Sequence, residues 1–497
     1  MIPLPINNFS VQNTEHGRQY GNNTLYYYQE KTLTFEQLWQ NSRRAATHLR
    51  EQGICPRQKV LFSLQDSLEW PVLFHALVMI GAIPVITNPR LAVEDLQNIH
   101  KKSQCDLVIA DKSVVEKFGT DINTIAFQDI DYSTCSMMES NFYNYQPHDI
   151  FVILTSSGTT NKYKLIVHEH DNIESGIRMD NPYDIYPNNT VCCPARMSFA
   201  YGLILNVLGP LIYGYKVIIL DMPKDIRNIG TIVNQHGATH LFLGPYLTKI
   251  LIKHSGIKFN NHLTNVYTSG EPTSIELNRS FKEKFNVNLH EIYGSAETLR
   301  LGLMVNKPED YCELSLGRPI IGVDIKVVGT DGQELEPNNV GEFLIRCSTL
   351  PQQYYNDPVL TKQAFKDGWY WTNDLGYQDQ NGRYFFVGRV GQYVKISSFY
   401  VSTTDIETEL IKVPQVADCT VVFEKNQNGI TTSIAFVTLQ DTINDITALD
   451  IKKSLIKNNV PSHIIPKDLQ IVNNLPLTVT NKKIRSLSTI QQNVIKL

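Results

Sequence analysis

The run Leu154-Thr155-Ser156-Ser157-Gly158-Thr159-Thr160-Asn161-Lys162-Tyr163-Lys164 follows an apolar, strand-like stretch, Ile150-Phe151-Val152-Ile153. Small and hydroxylated residues fill positions 155–160, and two lysines close the segment. Small residues let backbone N–H groups converge on an anion, hydroxyls add donors, and a lysine adds a point charge. That chemistry suits a polyphosphate. The G-x-x-x-x-G-K-[ST] spacing is absent, so the run is not a P-loop. Read alone, it also fits an ordinary Ser/Thr-rich turn.

Working outward, helical and strand patterns alternate from residue 35 to about 300. The pattern predicts a helix over 35–52 closed by Gly53, a strand over 59–64, a helix over 70–80 and a strand over 83–87. Residues 106–110 and 216–220 read as further apolar strands. Such alternation implies βαβ units and an α/β fold of stacked, mainly parallel sheets covered by helices. From about 314 to 388 the pattern changes to strands and turns, as in an antiparallel meander or small barrel. After Gly388 a compact α+β segment is expected: strand 392–396, helix 404–410, strands 420–423 and 433–439, helix 448–458. The expected division is a large N-terminal domain, 1–388, a hinge, 389–391, and a small mobile C-terminal domain, 392–497.

A chain of 497 residues exceeds one ordinary core. With 42% hydrophobic and 19% charged residues it has the composition of a soluble globular protein. A formal net charge of −4 argues against a nucleic-acid footprint. The start, Met1-Ile2-Pro3-Leu4-Pro5, lacks the charged and apolar regions of a signal peptide. The most apolar stretches, 70–87 and 202–220, are broken by Gly and Pro and carry His75, Asn206 and Lys216, so they read as buried helices feeding strands rather than membrane spans. The eight cysteines show no CxxC spacing, which fits free thiols in a reducing cytoplasm.

Further segments follow the opening run in order: Thr268-Ser269-Gly270-Glu271-Pro272; Glu291-Ile292-Tyr293-Gly294-Ser295-Ala296-Glu297-Thr298; Trp369-Tyr370-Trp371-Thr372-Asn373-Asp374-Leu375-Gly376; Gly388-Arg389 with Lys395; and Leu475-Pro476-Leu477-Thr478-Val479-Thr480-Asn481-Lys482-Lys483-Ile484-Arg485. In these segments, from about residue 30 to 485, the chain resembles the adenylate-forming superfamily of acyl- and aryl-CoA ligases, luciferases and peptide-synthetase adenylation domains. Pro194-Ala195-Arg196-Met197-Ser198-Phe199-Ala200-Tyr201-Gly202 and Gly81-Ala82-Ile83-Pro84-Val85-Ile86-Thr87-Asn88-Pro89 look most like the benzoate and anthranilate ligases. No acid lies between Pro194 and Pro210 to pair with a substrate amine, which disfavours an α-amino acid.

The resemblance implies ATP-dependent activation of a carboxylic acid, an aromatic or arylalkenoic one favoured, to an acyl-adenylate, then transfer to the thiol of CoA; the alternatives are transfer to a carrier-protein phosphopantetheine and a non-catalytic descendant that only binds nucleotide or acyl ligands. No protein nucleophile is required, and no GxSxG elbow is present. By resemblance, Thr155, Ser156, Ser157, Gly158, Thr160 and Lys164 wrap the phosphates, and Glu297 with Thr159 holds Mg²⁺, a hard ion that prefers oxygen. Tyr293 stacks on adenine opposite Gly270, Glu271 and Pro272, with Glu291, Gly294, Ser295, Ala296 and Thr298 in the same cofactor set. Asp374 takes the ribose hydroxyls, and Arg389 the sugar or phosphate. Lys395, Ser397 and Ser398 complete the cofactor set. Phe199, Ala200, Tyr201 and Gly202 line the acid's slot. Lys482 is the mobile catalytic lysine, with Lys483 one residue away. The bland readings are a helix-start carboxylate for Glu297, a turn-capping Asp374, a surface Arg389 and a solvated Lys pair.

Several positions depart from that pattern. Ser398 stands where CoA ligases usually have a glycine beside the pantetheine arm. Asn373 and Asn481 replace glycines, and Asn161 and Tyr163 stand where glycine and proline are common. Gly391 occupies a pivot where relatives carry Asp or Lys. Arg300 replaces a histidine beside the aromatic ring; it either pairs with a second anionic group on the substrate or turns away to a surface acid. His168-Glu169-His170 lacks a third ligand and HExxH spacing, so a structural role is expected rather than a metal site.

Overall fold

The computed structural model describes residues 21–119, 122–138, 142–157, 163–178, 181–254, 256–300, 302–351, 353–396, 399–425, 431–440, 446–476, 485, 487 and 490. The chain forms two compact units, residues 1–324 with 345–370, and residues 325–344 with 371–497.

The first unit holds two α/β layers. Its six-stranded sheet runs in the order Thr124–Ala126, Leu107–Ala110, Lys59–Ser63, Ile83–Ile86, Ile150–Ser157, Tyr163–Glu169. Every neighbouring pair is parallel except the last, an antiparallel hairpin. The nine-stranded sheet has a parallel centre, Leu289–Tyr293, Asn265–Ser269, His240–Leu243, Thr190–Cys192, Lys216–Ile219 and Thr24–Tyr28, with short antiparallel strands at both edges. The expected βαβ pattern is therefore present.

Local sequence explains the elements. The helix Phe35–Glu51 starts at a capping box between Thr34 and Gln37, a device worth about 1 kcal/mol. It buries Phe35, Leu38, Trp39, Ser42, Ala45, Ala46 and Leu49, a stripe of helical period. The helix Glu69–Ile80 has 12 residues and is buried from Trp70 to Ile80, so it is a core helix, too short to span a bilayer. It ends at Gly81 in the left-handed region, φ 84°, where an added Cβ would overlap the Tyr143 ring. No described helix is long and apolar enough to cross a membrane.

The β-rich stretch expected over 314–388 contains Val323–Val328, Gly341–Cys347, Phe365–Lys366, Trp369–Gln378 and Tyr384–Arg389. Phe365 and Lys366 pair antiparallel with Tyr370 and Trp369, and Tyr384–Arg389 pairs antiparallel with residues 374–378. Within the second unit, the hairpin Tyr393–Ile396 and Phe399–Ser402 leads into the helix Thr403–Ile411. A sheet of Val416–Lys425, Thr431–Leu439 and Asp468–Ile471 and the helix Ala448–Lys457 enclose a core of Val401, Ile406, Leu410, Val421, Val437, Ile451 and Leu455.

Candidate functional site

The opening run is not a loop throughout, as its composition suggested. Strand pairing continues through Thr155, Ser156 and Ser157, which face Leu165, Lys164 and Tyr163 on the returning strand. Hydroxyl side chains do not stop a strand whose backbone is paired along the returning arm. On its other edge this strand is parallel to Ile83–Ile86, and Thr155 Oγ1 donates to the Ile86 carbonyl at 2.9 Å. Gly158, Thr159, Thr160, Asn161 and Lys162 lie outside the described residues. The run thus comprises two antiparallel arms and an undescribed connection.

The second motif follows the strand Leu289–Tyr293. Glu291 is buried and accepts from the Thr273 hydroxyl; burial raises its carboxyl above the usual range. Tyr293 ends the strand, and its carbonyl accepts from Leu303 N at 2.7 Å. Gly270, at φ 94°, follows Ser269, whose hydroxyl donates to the Ile292 carbonyl at 2.9 Å. Gly270 and Pro272 are exposed and Glu271 is half-buried.

Gly294-Ser295-Ala296-Glu297-Thr298 is a turn held from three sides. Thr298 donates to the Ser295 carbonyl through both its backbone N and its hydroxyl, at 3.2 and 3.0 Å. His168 Nε2 donates to the Ala296 carbonyl at 2.9 Å. Tyr354 donates its phenol to Glu297 Oε1 at 2.9 Å. Leu299, next in the chain, has φ 40°, a backbone state that a non-glycine residue holds only when its surroundings impose it. Glu297 is 7% exposed. No hydrogen bond to its other oxygen, Oε2, is found among the described residues, so the carboxylate keeps an oxygen donor of the type Mg²⁺ takes.

In the His168-Glu169-His170 triplet each side chain has a partner within the first unit. Burial lowers His168 to about 4, against its bond to Ala296, so it stays neutral near pH 7. Glu169 accepts from His148 Nδ1 at 2.8 Å, and His170 stacks on Tyr145 at 4.9 Å. Among the described residues, the one His/Cys/Asp/Glu group close enough to share a metal is His48, Glu51 and Cys135, none of them in a motif above.

The acid-pocket motif opens a helix. Phe199 is the N-cap of Ala200–Leu203, which runs into a wider π turn, Ile204–Leu208. Carbonyls in the π turn are taken by side chains: Tyr215 donates to Leu205 O and Tyr26 to Asn206 O, each at 2.9 Å. At Gly202 a Cβ would stand 2.0 Å from the Arg196 carbonyl, so only glycine fits. Tyr201 meets Phe242 edge-on at 6.0 Å, beside the stacked Phe242–Tyr267 pair and Tyr183. Its phenol is buried without a hydrogen-bond partner among the described residues, and burial raises its pKa. The preceding loop is fixed by Asp66, which accepts from Met197 N at 3.0 Å, and by Gln65, which accepts from Arg196 at 2.8 Å. Burial lifts the Asp66 carboxyl to about 6, although Arg196 opposes it.

The two expectations for Arg300 are a second anionic group on the substrate and a surface acid; the described contacts show a backbone partner. It is 5% exposed and Nη2 donates to the Ile321 carbonyl at 2.9 Å. Gly176 beside it makes room for Thr349: a Cβ there would lie 1.7 Å from Thr349 Cγ2, while Arg300 Cγ, at 3.6 Å, would be in ordinary contact.

In the second unit, Asp374 and Arg389 are register partners on adjacent strands, and Arg389 Nε donates to Asp374 Oδ1 at 2.7 Å. Thr372 accepts from Asp374 N at 2.9 Å and donates to Phe343 O at 2.8 Å. Asn373 has φ 59°, which explains why asparagine replaces glycine there. Gly391 sits in a tight turn at φ 87°. Lys395 lies on the strand Tyr393–Ile396, while Ser397, Ser398, Lys482 and Lys483 lie outside the described residues. Arg485, which follows them, donates to both oxygens of Glu407 at 3.0 and 2.9 Å.

Sequence reading missed Tyr354, His168 as a turn anchor, Asp66 and Glu407. Each acts on a motif far away in sequence, and no local pattern marks it.

The model of AMP-binding enzymes matches residues 13–355, and that of the AMP-binding enzyme C-terminal domain matches residues 405–482. A 3-hydroxybenzoate–CoA/4-hydroxybenzoate–CoA ligase from Thauera aromatica is 25% identical, covering 93% of this chain and 92% of that protein. Among solved structures, benzoate CoA ligase from Burkholderia xenovorans LB400 superposes with a TM-score of 0.84 at 23% identity, over 96% of this chain and 100% of the other. O-succinylbenzoate CoA synthetase from Bacillus subtilis, in complex with ATP and a magnesium ion, superposes with a TM-score of 0.87 at 20% identity, over 97% and 99%. The α/β fold agrees with these matches, and the two family models cover most of the length: the chain belongs to the AMP-binding enzyme family.

Proposed function

We propose that the chain uses ATP to activate an aromatic carboxylic acid and passes the acyl group to the thiol of CoA. The acid's oxygen attacks the α-phosphorus, the bond to the bridging oxygen of the β-phosphate breaks, and pyrophosphate leaves. The thiol, losing its proton to solvent, then attacks the acyl carbon and AMP departs. The work asked of the protein is positioning and charge stabilisation.

The observation that carries this reading is Glu297, a buried carboxylate with one oxygen fixed and one left for a cation. Glu297, with Thr159, would hold Mg²⁺, which would neutralise charge on the departing phosphates. Thr155, Ser156, Ser157, Gly158, Thr160 and Lys164 take the phosphates. Tyr293, with Gly270, Glu271 and Pro272, takes adenine. Asp374 accepts from the ribose hydroxyls, and Arg389 both orients Asp374 and supplies charge. Phe199, Ala200, Tyr201 and Gly202 receive the ring, a role that the Phe242–Tyr267–Tyr183 cluster behind Tyr201 supports, as does the hydroxybenzoate ligase among the relatives. Arg300 pairs with a second anionic group on the substrate, a reading that its burial supports. Lys482 neutralises the α-phosphate and the incoming carboxylate, and residues 392–497 pivot about 389–391 between the two half-reactions. Eight free cysteines fit a reducing cytoplasmic setting.

Hydroxylamine trapping across benzoates, cinnamates, anthranilate, dicarboxylic acids and C6–C12 fatty acids tests the reading. An aromatic acid is expected to give hydroxamate, and acyl-CoA once CoA is added. Adenylation without acyl-CoA would redirect the acceptor to a carrier-bound phosphopantetheine. A Lys482→Ala variant forming adenylate at the parent rate would overturn the mechanism.

A further inference from the structure

We propose that Tyr354 is a positioning residue for the carboxylate of Glu297, setting which of its oxygens faces the metal; this rests on the functional reading above. The two residues are 57 positions apart, both are buried, and the phenol donates to Oε1 at 2.9 Å. A carboxylate on a flexible side chain can offer either oxygen, and a donor on one leaves the other to serve as ligand.

Tyr354 is itself held on all sides. It bridges Ile166, and the next residue, Tyr355, donates from N to the Leu165 carbonyl at 2.8 Å, so the segment docks on the return arm of the Ser/Thr-rich hairpin. Tyr354 N donates to Thr361 Oγ1 at 3.0 Å. Tyr370 hydrogen-bonds the phenol, and Phe365 packs beside the ring at 5.4 Å. The ammonium of Lys164 lies 5.3 Å from the ring centroid. One side chain therefore touches the hairpin's lysine with its ring and the acidic turn with its hydroxyl. From the turn's opposite end His168 fixes Ala296, so rotation of the Glu297 side chain is the freedom that Tyr354 removes.

The test is Tyr354→Phe, which keeps the ring and deletes the donor. Calorimetry is read with ATP in excess EDTA and with ATP plus Mg²⁺, and Mn²⁺ binding in the presence of ATP is followed by electron paramagnetic resonance. The expected result is a loss of about tenfold or more in Mg·ATP and Mn²⁺ affinity, with metal-free ATP binding unchanged. In a Glu297→Gln background the same substitution should change neither, which separates action through Glu297 from packing. Equal weakening with and without metal would make Tyr354 a packing residue and overturn the proposal, as would unchanged Mg·ATP affinity. A parent protein that binds no Mg·ATP would overturn the functional reading and this role together, whereas a parent that binds it and a variant that binds equally well sinks the role alone. If Tyr354→Phe fails to fold, Tyr354→Trp supplies the readout, and parent-like metal dependence there overturns the proposal.

Discussion

Arg485→Met removes the cation that ties the last described segment of the second unit to its helix Thr403–Ile411. Glu407 accepts from Arg485 through both oxygens and, through Oε1, from Val421 N at 2.9 Å. The side chains are 24% and 12% exposed, so the pair lies between a solvated ion pair and a dry one. Exposed pairs contribute about 0–1 kcal/mol, and breaking a fully buried pair costs about 3–5 kcal/mol. The half-way environment gives about 2–3 kcal/mol, mostly the cost of leaving a shielded carboxylate with one N–H donor. For a unit of this size that corresponds to a fall in melting midpoint of roughly 4–12 °C. Scanning calorimetry reads the midpoint, and hydrogen exchange over 416–425 reads the Val421 amide. Adding Glu407→Gln should recover much of the loss, because the orphaned charge disappears. A functional split is also expected: Lys482 lies three residues before Arg485, so acyl-adenylate formation should fall more than thioester formation from supplied acyl-adenylate. An Arg485→Met midpoint within a degree of the parent, or a double variant less stable than the single, would refute the reasoning.

Gly317→Ala should destabilise the first unit by about 3 kcal/mol or more, because Gly317 has φ 84° and a Cβ would stand 1.9 Å from the Val305 carbonyl, a backbone atom that cannot move aside; urea unfolding of the soluble variant checks this. Stability should fall as pH drops below about 6.5: burial lowers His75 to about 3 and His168 and His240 to about 4, so each is buried neutral while the unfolded chain takes up a proton first. Their contribution is complete above the unfolded value and is lost towards the folded ones, at up to about 1.4 kcal/mol per pH unit per histidine. Asp66, raised to about 6, acts in the opposite sense on the way down, so urea midpoints at pH 7.5, 6 and 5 should decline by less than the three histidines alone imply, and a flat series would contradict the assignment. Asn373→Gly should leave the melting midpoint within about 2 °C, whereas Asn373→Val, β-branched at φ 59°, should lower it clearly.

The layers were legible because local rules set them. Period-3.6 burial and a terminal Gly53 mark the helix Phe35–Glu51, and short apolar runs between helices mark the parallel strands. The exchange of glycine for Asn373 was visible as a departure, and its φ supplies the reason. What the sequence hid is what tertiary pairing decides. Thr155, Ser156 and Ser157 have the composition of a turn, yet an antiparallel partner continues the ladder along one edge, and the backbone follows it rather than the side chains. Arg300 was open between two directions because an isolated arginine carries no orientation signal; its burial and its bond to the Ile321 carbonyl are set by the fold around it.

The same distinction explains why the acidic turn could be recognised while its support could not. Gly294-Ser295-Ala296-Glu297-Thr298 is contiguous, so its residue types survive as a readable string. Its geometry depends on His168 from the hairpin's return arm and Tyr354 from a later segment, at sequence separations of 128 and 57. A hydrogen bond places few demands on its donor's neighbours in sequence, since any backbone that delivers the atom will serve. A turn that aims a buried carboxylate therefore draws its donors from whichever segments pass nearby. The strained Leu299 belongs to this account: a backbone at φ 40° beside Glu297 is tolerable because Thr298, His168 and Tyr354 fix the turn on both sides of the carboxylate. Removing one of these side-chain donors should loosen the aim of the carboxylate before it loosens the fold, because the sheets beneath are held by backbone ladders that the three side chains do not supply.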